Sequence, residues 1–182
     1  RKTFREKYKL PINSKLIFHT GKFNQDKKTL ETLKAFNEIK NKNTFLIIAG
    51  FAEGDYQNAI YKIIKANKNI INLGWISANK LREVLIAGDI MLQPGSLSNT
   101  FIEGVCSGLY LILDDTPQGR FLTQWDNGKL IRKPTSKKIK KTLIDVLNNL
   151  DNKKSNYDKI SIAAKELDYR NNATISLRKI LN

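Results

Sequence analysis

Two residue types that carry much of enzyme chemistry are nearly missing, since the 182-residue chain has one cysteine and one histidine. Cys106 cannot form an internal disulfide, which is the usage expected of an intracellular protein. No run of about 18 apolar residues occurs, so no apolar helix of membrane-spanning length is expected. Cysteine, histidine and carboxylates are nowhere clustered at metal-ligand spacing, and no metal site is expected. The chain opens on Arg1-Lys2-Thr3-Phe4, with neither an initiator methionine nor the apolar core of a signal peptide. It is therefore expected to be part of something longer, and the rest of the sequence fits one α/β domain.

Charge is plentiful and mostly of one sign, with a formal net charge of +15. Nucleic acid, an anionic membrane surface or a phosphorylated substrate could each answer such a charge. The basic residues are spread along the chain, apart from Lys137-Lys138 with Lys140-Lys141 and Lys153-Lys154. Neither an aromatic-basic recognition pattern nor a helix-turn-helix signal is present, so nucleic acid is not an expected partner.

Apolar periodicity alternates along the chain. Short continuous apolar runs, bounded by glycine, read as strands at 16–20, 44–49, 70–73, 89–93 and 109–113, with a weaker one at 129–131. Between them, helical spacing appears at 28–40, 56–66, from Ser77 as N-cap to Leu85, and at 100–107. A short polar helix is expected at 3–9, a loop through Asp114, Asp115 and Pro117, and two amphipathic helices at 136–150 and 159–181. Continuous rather than alternating apolar strands imply a parallel sheet covered on both faces. The expected architecture is thus a Rossmann-like three-layer α/β sandwich of about six strands, with ligands bound beyond the carboxyl ends of the strands.

The loops at those ends supply the candidate residues. After the first strand, Lys22 and Lys27 can neutralise a diphosphate, although solvated loop lysines would look the same. After the fourth, a polar turn leads into a helix whose first amides, at Asn99, Thr100 and Phe101, suit a phosphate. Glu103 in that first turn can take two ribose hydroxyls, or simply complement the helix dipole. His19 stands at a strand end and is expected to be packed rather than catalytic. Cys106 has no neighbouring base to activate it and is expected in the core.

Four segments, in order, resemble the C-terminal domain of the GT-B-fold retaining glycosyltransferases, the glycogen-synthase-like or group 1 family. They are FHTGKFNQDKKTLETLKAFNEI from Phe18, FLIIAGF from Phe45, INLGWISANKLREVLIAGDIMLQPG from Ile71 and NTFIEGVCSGLYLILDD from Asn99. The resemblance implies one half of a GT-B fold that binds a UDP- or GDP-sugar donor without a further cofactor. Lys22 and Lys27 match the basic pair on the diphosphate. Glu103 matches the second glutamate of the family's Glu-x7-Glu motif, which binds the ribose. Gly74, Trp75, Ile76 and Ser77 lie where the base is held, and Ser98, Asn99 and Thr100 form the turn that cups the sugar and distal phosphate.

Two departures stand out. Gly95 occupies the place of the motif's first glutamate, which touches the donor sugar, and Asp115 to Arg120 replaces the family's Gly-Gly-x-x-Glu segment. The resemblance therefore implies the nucleotide half of the site more fully than the sugar half. It also implies a transferase acting on a glycan or lipid-linked acceptor in cell-surface polysaccharide synthesis, cytoplasmic or peripheral on the inner membrane face, with the acceptor domain preceding Arg1. An epimerase of the same architecture would need a further acidic and histidine set that this sequence does not offer. A non-catalytic basic module that binds an anionic membrane or a partner subunit is the alternative.

Overall fold

The computed structural model describes residues 1–96, 98, 100–153, 162 and 164–167. Six parallel strands form one sheet in the order β3-β2-β1-β4-β5-β6. They are β1 (Lys15–Phe23), β2 (Thr44–Ala52), β3 (Ile70–Asn72), β4 (Ile90–Gln93), β5 (Tyr110–Asp114) and β6 (Gly128–Ile131). Between and around them run α1 (Lys2–Lys7), α2 (Thr29–Asn37), α3 (Tyr56–Ala66), α4 (Ala78–Leu85), α5 (Thr100–Cys106), α6 (Pro117–Leu122) and α7 (Ser136–Lys153). The expected parallel α/β sandwich is what the chain forms.

Strand alternation sorts the apolar residues into two cores. Ile17, Leu46, Ile48, Ile90, Leu92 and Ile112 face α2, α3 and α7, meeting Leu33, Phe36, Ile60 and the α7 stripe Ile139, Leu143, Val146 and Leu150. Leu16, Phe18, Ile47, Met91, Leu111 and Leu113 point the other way, onto α1, α4, α5 and α6 through Phe4, Leu81, Leu85, Phe101, Val105 and Leu122. Chain order runs outward from β1 to β3 on one side and from β4 to β6 on the other. The switch point lies between β1 and β4.

Three sequence expectations change. Two of the glycines that read as strand stops are internal, for β1 passes through Gly21 and β2 through Gly50, paired in register. A Cβ on Gly50 would lie 1.8 Å from the Gly21 carbonyl oxygen, so the residue marks a close backbone approach rather than an end. The expected loop after β5 contains α6, begun by the Thr116 side chain accepting from the Gly119 amide and by Pro117 in the first turn. At six residues it is too short to show a period. Cys106 is exposed on the outer side of α5 rather than in the core. The 159–181 helix lies almost entirely outside the described residues.

At the amino ends of the strands, Arg5 of α1 is buried against Asp89 at 3.3 Å. Its guanidinium also donates to the carbonyls of Ser14 and Ala87, while Asp89 accepts from the Leu16 amide. The pair ties α1 to the starts of β1 and β4, the two strands of the switch point. Removing one member strands the other charge in the core, so Asp89→Ala is expected to cost about 3–5 kcal/mol in urea denaturation.

Candidate functional site

A cleft of about 320 Å3 opens at the switch point, above the carboxyl ends of β2, β1 and β4. Its floor is the close approach of Gly21 and Gly50, where side chains are missing on two adjacent strands. Lys22, Phe51, Trp75, Ile76, Leu81 and Thr100 stand around it. Of the sequence candidates, the structure thus brings together Lys22, Trp75, Ile76 and Thr100. Trp75 is 72% exposed, unusual for so large an aromatic, and leaves a broad ring face open at the β3 end. Gly74 turns the chain at φ 66 and accepts the Gly50 amide through its carbonyl, holding the Trp75 loop to the floor. Ser77 caps α4, its hydroxyl accepting from the Lys80 amide.

The charged candidates all have partners within the protein. Lys22 pairs with Glu53 at 2.7 Å, both more than half exposed. Lys27 donates to the Ser96 carbonyl at 2.6 Å, and burial lowers its pKa while Asp26 raises it. Glu103 accepts from Arg82 of α4 at 3.0 Å. Arg82, Glu53 and Phe51 were not singled out from the sequence. Arg82 lies on α4 facing α5, a contact that only the packing of the two helices reveals. Phe51 follows a glycine that read as a strand end.

At the β4 end, hydroxyls converge. Thr100 Oγ1 accepts from Thr20 at 3.2 Å and lies 2.8 Å from Ser98 Oγ. Gln93 beneath them is buried and donates to the Thr20 carbonyl at 2.6 Å. The Phe101 amide, expected to face a ligand, donates to the Ser98 carbonyl instead, closing the turn into α5. Asn99 lies outside the described residues. A larger apolar groove, about 540 Å3, runs alongside between α5 and α6 past Ile102 and Phe121. None of the described residues lining it is charged, so among them a diphosphate finds no counterion. The Asp115 carboxyl near it sits below its ordinary pKa because Arg120 hydrogen-bonds it.

His19 is packed, as expected, and lies under this site without reaching it. Its Nδ1 is 2.9 Å from the Leu92 carbonyl and its Nε2 3.0 Å from Thr29 Oγ1. The carbonyl can only accept, so Nδ1 carries the proton and Nε2 accepts from Thr29. Complete burial lowers its pKa from 6.5 to about 4. The unfolded chain therefore binds this proton first, and stability falls as pH drops through that window, by on the order of 3 kcal/mol. Thermal melts between pH 6.5 and 4 are expected to show the decline, with a shallower slope in His19→Gln.

Comparison with known proteins gives the same direction. The fold is similar to that of WaaG, a glycosyltransferase involved in lipopolysaccharide biosynthesis, with a TM-score of 0.75 and 16% identity over 92% of this chain and 47% of WaaG. It is similar to HepE of Anabaena in complex with UDP, with a TM-score of 0.80 and 13% identity over 98% of this chain and 52% of HepE. The C-terminal domain of LpcC, a glycosyl transferase group 1 family protein from Francisella tularensis, matches with a TM-score of 0.72 and 19% identity over 89% and 91% of the two chains. At such identities the likeness is one of fold, that of GT-B glycosyltransferases. This chain spans about half the length of WaaG and HepE. No curated protein sequence matches it. The sequence profile described as Glycosyl transferases group 1 does match, over residues 1–166, a span that holds the whole sheet and every loop of the cleft, and the chain belongs to that family.

Proposed function

We propose that this chain is the donor-binding half of a retaining glycosyltransferase that takes its sugar from a UDP- or GDP-sugar. The observation that carries the reading is the single cleft in which Lys22, Trp75 and Thr100 meet above a floor cleared by Gly21 and Gly50. A nucleotide laid along it would put its base on Trp75 and the main chain of Gly74 to Ser77. The ribose falls to Glu103, which Arg82 holds in place, and the diphosphate to Lys22 and Lys27. The turn from Ser98 through Asn99 to Thr100 receives the distal phosphate and sugar. HepE bound to UDP, and to UDP-glucose, supports this choice of ligand class.

The chemistry asked of these residues is charge stabilisation. When the glycosidic bond to the phosphate breaks, negative charge grows on the leaving diphosphate, and preorganised cations favour that state over the ground state. The lysines supply those cations, so the reading includes no metal ion and no other cofactor. The acceptor, a glycan or lipid-linked saccharide of cell-surface polysaccharide synthesis, would be held by a second domain across the cleft. No helix among the described residues is long and apolar enough to cross a membrane. A cytoplasmic protein touching anionic lipid at the inner membrane face is the placement that fits the charge. Lys140 on α7 pairs with Glu38, and Lys138 donates to the carbonyls of Arg132 and Lys133, so the basic α7 face is partly tied down.

Isothermal titration is expected to show UDP or GDP binding, while a plain polyanion such as tripolyphosphate competes far less well. Trp75→Ala and Lys22→Ala should each weaken binding by roughly tenfold, one through lost stacking and the other through a lost charge-assisted contact. Binding at equal strength to the polyanion would overturn the reading. Turnover by the full-length enzyme is expected to survive chelators.

A further inference from the structure

The turns that lead into β2 and β3 form a second polar surface, at the opposite ends of the strands from the cleft. Asparagines build it. Asn41 accepts from the Asn43 amide at 2.9 Å and Asn67 from the Asn69 amide at 2.9 Å, so each turn closes on a neutral side chain. The turns are also tied to their surroundings, for Asn67 donates to the Asn37 side chain at 3.0 Å and Asn69 to the Thr44 carbonyl at 3.2 Å. Lysine is not needed to hold either turn, and Lys40, Lys42, Lys65 and Lys68 stand exposed on or beside them. No ion pair among the described residues engages any of the four. The α2–β2 turn stands between two grooves, of about 640 Å3 on the α3 side and about 510 Å3 on the α7 side. Ile39 lines both, with Ile64 in the first and Ile144 and Leu147 in the second, so lysine and aliphatic side chains share each groove.

We propose that this face, with Lys40, Lys42, Lys65 and Lys68, docks the protein on a bilayer that contains anionic lipid. The proposal rests on the membrane placement given above and assigns it a surface. Glu38, the acidic residue in the lining of the grooves, is neutralised by Lys140 at 2.8 Å, so the face keeps its positive charge. That charge does not serve the nucleotide. From Thr44 to Gly50 the strand covers roughly 20 Å, well beyond the screening length of about 8 Å at physiological ionic strength. Neither arginine nor an aromatic residue is among the described residues that line the grooves, so bidentate phosphate recognition and base stacking both lack their side chains. What remains is spread charge beside aliphatic surface. That pairing suits lipid headgroups above the acyl boundary, with the long lysine stems lying on the apolar part. A chain docked this way holds the cleft on its far side, clear of the bilayer.

The test is co-sedimentation of the full-length protein with vesicles of phosphatidylcholine alone and of phosphatidylcholine mixed with phosphatidylglycerol. Binding to the mixed vesicles only is expected, and it should weaken as salt is added. Replacing Lys40, Lys42, Lys65 and Lys68 together by glutamine is expected to cost about fivefold per lysine, on the order of a few hundredfold in all. Lys2, Lys7, Lys9 and Lys80 are exposed on the opposite layer, on or beside α1 and α4. Their replacement by glutamine subtracts the same formal charge and is expected to change binding by less than about threefold. Thermal melts of both variants establish that they fold. Equal binding by the two variants would overturn this surface but not the membrane placement. Failure of the intact protein to bind the mixed vesicles, including its capture by a nucleic-acid duplex instead, would overturn both. Neither outcome touches the donor-binding reading, which UDP titration decides separately.

Discussion

The contact on which the cleft depends is that of two backbones, Gly21 on β1 and Gly50 on β2. They are register partners, and a single added carbon on Gly50 would collide with the Gly21 carbonyl at 1.8 Å. Because neither carries a side chain, the sheet can continue to Phe23 and Ala52 while leaving an open floor at its middle. The Gly50 amide reaches on to the Gly74 carbonyl, so the same spot also sets the height of the Trp75 loop. The Trp75 loop and the floor of the cleft are therefore referenced to one point on the sheet.

The charged candidates are each held by a partner within the protein. Lys22 with Glu53, Lys27 with Ser96 and Glu103 with Arg82 each hold a side chain in a defined place before any ligand is present. The Lys22 pair is solvent-exposed, and such pairs contribute little to stability. Lys27 is different. It is partly desolvated, which lowers its pKa, and its donation to the Ser96 carbonyl fixes its position.

The sheet was legible because its strands are buried on both faces, which leaves continuous apolar runs such as Phe45 to Ile48 and Leu109 to Leu113 that no surface element would show. The Ser77 cap was legible for a local reason, a hydroxyl before a helix. What could not be read were contacts between loops far apart in sequence. Nothing near Gly95 in the sequence shows that the Asp26 carbonyl lies against it, and nothing near Glu103 shows Arg82. Gly21 and Gly50 were misread as ends because a glycine needed for close approach has the same letter as one needed for a turn. The short α6 helix, with its Thr116 cap and Pro117, carried its signals in the open but lacked the length for a period.

Lys27, Lys28 and Thr29 are consecutive, and the left-handed Lys28 turns its neighbours in opposite directions. Lys27 points outward to the β4–α5 loop, whereas Thr29 points inward and donates to the neutral imidazole of His19. The polar rim of the cleft and the proton-free nitrogen in the core are thus separated by one residue. A ring that gains a proton can no longer accept from Thr29, so acid acts on the root of the lysine loop from below. The cleft is anchored in a part of the molecule that tolerates charge least.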